Sequence, residues 1–125
     1  MDINQIRQLL KTEIRNAGLT KEPIKLFINK GYCTTNRKRV AQAIRRRDRL
    51  THELKGYDII LYMKTIKMVS QLEYKGNMHK AIRREIRHEL AHIKYHHFNK
   101  AWGIFGERIN HFIQEIMAER YAHKY

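Results

Sequence analysis

The chain contains one cysteine and one proline in 125 residues. With only Cys33 present, no internal disulfide can form, and no CxxC pair exists to build a thiolate zinc finger. A lone thiol fits a reducing interior, and with no motif around it Cys33 reads as an inert group. The longest clearly apolar run, Ile59 to Met63, is too short to span a bilayer. The first residues, Met1-Asp2-Ile3-Asn4-Gln5, lack the apolar region of a signal peptide, so the expected compartment is the cytoplasm, with no membrane partner. Acidic residues are scarce as well: 12 against 26 basic ones leave a net charge of +14. Such a field attracts polyanions at low salt without identifying them as the target. No repeat, low-complexity segment or linker interrupts the chain, and its length suits one domain, residues 1–125, with a modest core.

Hydrophobic periodicity supplies the elements. Ile3, Ile6, Leu9, Leu10, Ile14 and Ala17 recur at helical spacing, which predicts an amphipathic helix over 3–17 stopped by Gly18. Residues 23–28 alternate and read as a strand. Residues 37–49 fit either a helix or an edge strand, and they hold seven basic residues: Arg37, Lys38, Arg39, Arg45, Arg46, Arg47 and Arg49. Gly56 reads as a break, and Tyr57 to Met63 as a β-branched and aromatic strand. Residues 64–75 carry no clear period. From Met78 to about His97 the pattern is helical, with Ile82, Ile86, Leu90 and Ile93 in one stripe. A loop with Trp102, Gly103, Phe105 and Gly106 precedes a last helix, about 107–121, whose buried stripe should be Ile109, Phe112, Ile113, Ile116 and Met117. Met63, Met68, Met78 and Met117 read as core. The expected class is α+β: a small sheet of about three strands, an N-terminal helix, an HExxH helix and a C-terminal ligand helix.

The chemistry lies in His88-Glu89-Leu90-Ala91-His92, an HExxH sequence. Histidines four apart stand one turn apart on one helix face, so both can reach one metal ion. At 100° per residue they lie on the flank of the apolar stripe, with Glu89 between stripe and histidines. A carboxylate there can act as general base on a metal-bound water. A catalytic zinc ion (Zn2+) takes three protein ligands and leaves one position open, so a third ligand is required. The candidates are His96, His97, His111, Glu115 and Glu119. His96 lies about 12 Å along the axis from His88, too far for easy sharing of one ion. His97 points toward the apolar stripe. His111, Glu115 and Glu119 stand four apart on one face of the last helix, where they can converge over the metal.

HELAH followed by Glu115-Ile116-Met117-Ala118-Glu119 resembles the gluzincin arrangement, in which HExxH precedes a glutamate ligand on a downstream helix, often within ExxAD. Over residues 78–122, with the strand Tyr57–Met63 in the expected order, the short chain is similar to the minigluzincins. The resemblance implies zinc ligands His88, His92 and Glu115, with Glu89 as base. It also implies a small sheet flanked by helices, a peptide or protein substrate, and latency through self-insertion or self-association. The tail 121–125 is one segment that could block the site. Glu119 departs from the family's Asp, which leaves it either supporting a histidine from behind or acting as the ligand itself. A donor for the transition state is expected among His111, Tyr121, His123 and Tyr125, and a strand edge within residues 1–74 should pair with an extended substrate.

Two rival readings stand beside this one. The DNA-associated SprT-like proteases also carry HExxH but use a downstream histidine, which here would be His111; Phe112 stands where a glycine usually follows. The metzincin pattern would need Gly at Tyr95 and His at Phe98. The second rival is a basic nucleic-acid-binding protein that uses residues 37–49, with a metal site that is structural or absent.

Overall fold

The computed structural model describes residues 1–95 and 115–122. Helix α1, Ile3–Ala17, starts at a capping box: the Asp2 carboxylate accepts from the Gln5 amide at 2.8 Å, and Gln5 Oε1 accepts from the Asp2 amide at 2.9 Å. It ends at Gly18, whose φ of 74° is left-handed and whose amide donates back to Arg15. Its buried face is Ile6, Leu9, Leu10, Glu13 and Ala17.

Three strands follow: β1 (Ile24–Asn29), β2 (Ala41–Arg47) and β3 (Leu54–Tyr62). They form one sheet in the order β1-β3-β2, with β1 parallel and β2 antiparallel to the central β3. Alternation puts Tyr57, Ile59 and Leu61 of β3 on the face that carries the core. Leu26 and Ile28 of β1 and Ala41 and Ala43 of β2 share that face by register. On the opposite face Phe27 and Ile44 are exposed.

Helix α2 (Met63–Glu73) leaves β3 directly, and α3 (Met78–Lys94) begins at Asn77, whose side chain accepts from the Lys80 amide. Residues 115–122 form a further helix, α4. Ile82, Ile86 and Leu90 of α3 are fully buried, and α3 packs over β2 and β3 with α1 and α2 beside it. Among the described residues, no helix is long and apolar enough to cross a membrane.

The α+β class and the small three-stranded sheet agree with the sequence reading, and several details differ. Residues 37–49 contain an edge strand, not a helix. Gly56 does not break the chain. It lies inside β3, where a Cβ would stand 2.5 Å from the Pro23 carbonyl oxygen, and this close approach lets the Tyr57 amide donate to Pro23 at 2.8 Å. The third strand therefore begins earlier than expected, and Met63 opens a helix. Residues 64–75, unassigned by period, are mostly that helix. The buried face of α4 is Ala118, Tyr121 and Ala122, while Ile116 and Met117 are exposed. Met68 is exposed too, whereas Met63 and Met78 pack against the core. The loop at 102–106, the stripe residues Ile109, Phe112 and Ile113, and His96 and His97 lie outside the described residues.

One charged pair crosses the core. Arg87 of α3 donates from Nε and a terminal nitrogen to both oxygens of Glu13 on α1, at 2.8 and 3.2 Å, with both residues buried. Breaking such a pair leaves an uncompensated buried charge. Glu13→Ala should therefore destabilise the protein by about 3–5 kcal/mol in denaturant melts. The double variant Glu13→Met/Arg87→Met should recover most of that loss, and equal losses would show that the pair does not act by mutual compensation.

Candidate metal centre

Burial of the isoleucine and leucine stripe sets the rotation of α3 and turns His88 and His92 to its flank, where they are only slightly exposed. Their rings meet edge to face, with Nε2 atoms 3.2 Å apart. Helix α4 brings Glu115 onto them. One carboxylate oxygen lies 3.1 Å from His88 Nε2 and the other 3.2 Å from His92 Nε2. Two ligand atoms bound to zinc at about 2.0 Å, with a tetrahedral angle between them, stand about 3.3 Å apart. The histidine pair and one Glu115 oxygen on His88 meet that spacing, the other oxygen stands on His92, and one donor atom from each residue lies within 4.8 Å of the others. Among the described residues, His88, His92 and Glu115 are the group whose donor atoms could hold a metal ion.

Of the three side chains left open by sequence, Glu115 thus joins the two histidines. Glu119 lies behind them: its Oε1 is 2.7 Å from Nδ1 of His88, the nitrogen turned away from Glu115. The contact is an ion-pair distance without an aligned Nδ1–H···O hydrogen bond, and an Nδ1–H turned onto Glu119 would leave the Nε2 lone pair for a metal. His111 lies outside the described residues, as do His123 and Tyr125. Tyr121 is buried in the core, its ring edge-on to Tyr95 and beneath the Lys94 ammonium.

Glu89 is buried, and desolvation raises its carboxyl above the usual range. The backbone amide of Ala43 on β2 lies on the side of this carboxyl and favours its ionised form. The pairing pattern explains why that amide is available. Tyr62 donates to the Val40 carbonyl, and alternation in an antiparallel ladder then turns the amides and carbonyls of Ala41, Ala43 and Arg45 away from β3. The methyl side chains of Ala41 and Ala43 allow α3 to approach this strand closely.

Position 85, one turn before Glu89, holds another carboxylate, and burial pushes it up to about 7. Burial opposes the charge on His88, but hydrogen bonding to Glu115 and the surrounding carboxylates outweigh it and hold the imidazole at about 9. The hydrogen bonds from His88 and His92 in turn hold Glu115 well below the usual carboxylate range.

Arg84, Glu85 and Ala43 were not singled out by sequence. The signal for the first two was present: Arg84, His88 and His92 repeat every fourth residue, as do Glu85 and Glu89. Ala43 had no signal, because its contribution is a backbone amide. In the basic run, Arg46 pairs with Asp58 at 2.6 Å, Arg47 donates to the His52 carbonyl and Arg39 donates to Gln42. These three serve local structure, whatever else the run contacts.

Comparison with protein-family models, curated proteins and solved structures finds no match to this chain.

The titration of His88 gives a signed prediction. Its pKa of about 9 lies above the ordinary 6.5, so its pairing with Glu115 stabilises the metal-free protein fully below pH 6.5. That contribution is lost as pH rises toward 9. Zinc must displace the same proton, so its apparent affinity should rise from pH 6 to 8, on the order of tenfold per pH unit for one proton released. Calorimetry in buffers of different ionisation heat counts the proton. Affinity independent of pH would show that His88 is already neutral before the metal arrives.

Proposed function

We propose that this chain is a zinc-dependent metalloendopeptidase of gluzincin type, most similar to the minigluzincins. The observation that carries the reading is the convergence of both His Nε2 atoms and the Glu115 carboxylate within metal-binding reach of one another, with the buried Glu89 carboxyl beside them. This donor set is two imidazoles and one carboxylate, borne by two helices. It suits a zinc ion with one open position, and it does not require His111, the ligand that an SprT-like site would use.

Bound there, zinc would lower the pKa of a water molecule and polarise the scissile carbonyl. The rest is the work of the chain. Glu89, which desolvation raises above the usual carboxylate range, takes the proton of the attacking water and passes it to the leaving amine. The outward amides and carbonyls of β2 lie next to Glu89 and can pair with an extended peptide, which would hold its carbonyl near the metal. Glu119 stands 2.7 Å from His88 Nδ1, where accepting that proton would hold the tautomer that presents Nε2.

The test separates binding from chemistry. Glu89→Gln should bind zinc normally and lose hydrolysis of a denatured protein substrate by a factor of about 10² to 10⁴. Glu115→Ala should lose the metal, while His111→Ala should keep it. Zinc lost only with His111→Ala would favour the SprT-like site. Zinc bound tightly with no hydrolysis that Glu89→Gln removes would favour a structural metal in a basic nucleic-acid-binding protein.

A further inference from the structure

Glu119 does not meet His88 alone. Its second oxygen, Oε2, accepts from a terminal nitrogen of Arg84 at 2.8 Å. Arg84 stands on α3 one turn before His88, and its other terminal nitrogen donates to Glu73 at 3.0 Å and to the Tyr74 hydroxyl. The guanidinium also lies over the Tyr74 ring. A path therefore runs by hydrogen bonds from the end of α2 through Arg84 to Glu119, and on to His88 Nδ1 by an ion-pair contact of 2.7 Å. HExxH chemistry by itself does not call for an arginine at position 84.

We infer that Arg84 is a positioning residue for the metal centre: by gripping Glu119 it fixes the partner of His88 Nδ1, and so fixes the direction in which Nε2 points. The inference rests on the zinc reading above. Its physical basis is the length of Glu119. A glutamate has one more rotatable bond than the aspartate usual at the corresponding gluzincin position, and the side chain is partly exposed. Left alone it would sample rotamers that release His88. Arg84 contacts the oxygen that His88 does not use, and the planar guanidinium is anchored at its other end by Glu73 and Tyr74. A lysine could supply the charge but not the fork.

Stability and positioning can be told apart. Partly exposed ion pairs contribute little to folding, so Arg84→Gln should change the metal-free melting temperature only slightly. Its zinc affinity should fall about 10- to 100-fold, the range for loss of a group that orients a metal ligand. Glu119→Gln should cause a similar loss, and the double variant should be no worse than either single one. Arg84→Lys should restore part of the affinity. In the zinc-loaded protein the His88 Nδ1 proton should exchange with water faster in Arg84→Gln than in the parent, a readout that packing alone would not move.

Failure separates cleanly. If the parent protein binds no zinc, the metal-site reading falls and the inference with it. If the parent binds zinc and Arg84→Gln matches it in affinity and in Nδ1 exchange, only the role of Arg84 is overturned. Losses in Arg84→Gln and Glu119→Gln that add in the double variant would also overturn it, because two independent effects would then be at work.

Discussion

The rotational setting of α3 is the constraint on which everything else depends. Ile82, Ile86, Leu90 and Ile93 give this helix one strongly apolar stripe, and its burial beneath β3 leaves one orientation in which the stripe is dry. A helix turned by one residue, about 100°, would expose isoleucine and bury histidine. The Arg87–Glu13 pair adds directionality to a non-directional force. An arginine buried in the α1 interface has one acceptable place, and that place agrees with the stripe. Local pattern and long-range pairing thus specify the same setting, the kind of agreement that a funnelled landscape requires.

That setting positions charge as well as surface. His88, Glu85 and Glu89 share a short stretch of helix at the margin of the core, where each ionised form is poorly solvated. The buried Glu89 and the half-buried Glu85 are pushed up, and the His88 imidazole is drawn up by the carboxylates around it. Charges held in such surroundings need partners. Helix α4 supplies two of them, Glu115 and Glu119, and Arg84 supplies the countercharge behind Glu119. The candidate centre is therefore one network whose members include residues far from any motif.

Much of this was legible in the one-dimensional pattern, and the failures have definite causes. The motif helix and its stripe are visible because seventeen residues hold a consistent 3.6-residue period. Strand β2 was ambiguous because its alanines and arginines carry no strong preference, and only hydrogen bonding to β3 decides its state. Gly56 was misread as a terminator because glycine also marks close approach of two backbones, and sequence does not distinguish the two uses. The buried face of α4 was misplaced because Ile116 and Met117 are larger than Ala118 and Ala122, yet the tight contact selects the small residues. Apolar size predicts burial only where there is room for it.

By itself the sequence determined that His88 and His92 share one helix face and that Glu89 lies between them and the core. Those follow from helical geometry, which is local. Which side chain comes to the two histidines was decided by tertiary structure alone. Glu115 and Glu119 are chemically equivalent and lie on one face of one helix, so no local rule separates them. The docking of α4 on α3 does: it lays Glu115 across both Nε2 atoms and leaves Glu119 on Nδ1, within reach of Arg84. The availability of the Ala43 amide has the same origin, because the direction of a backbone group is set by the strand that pairs with it.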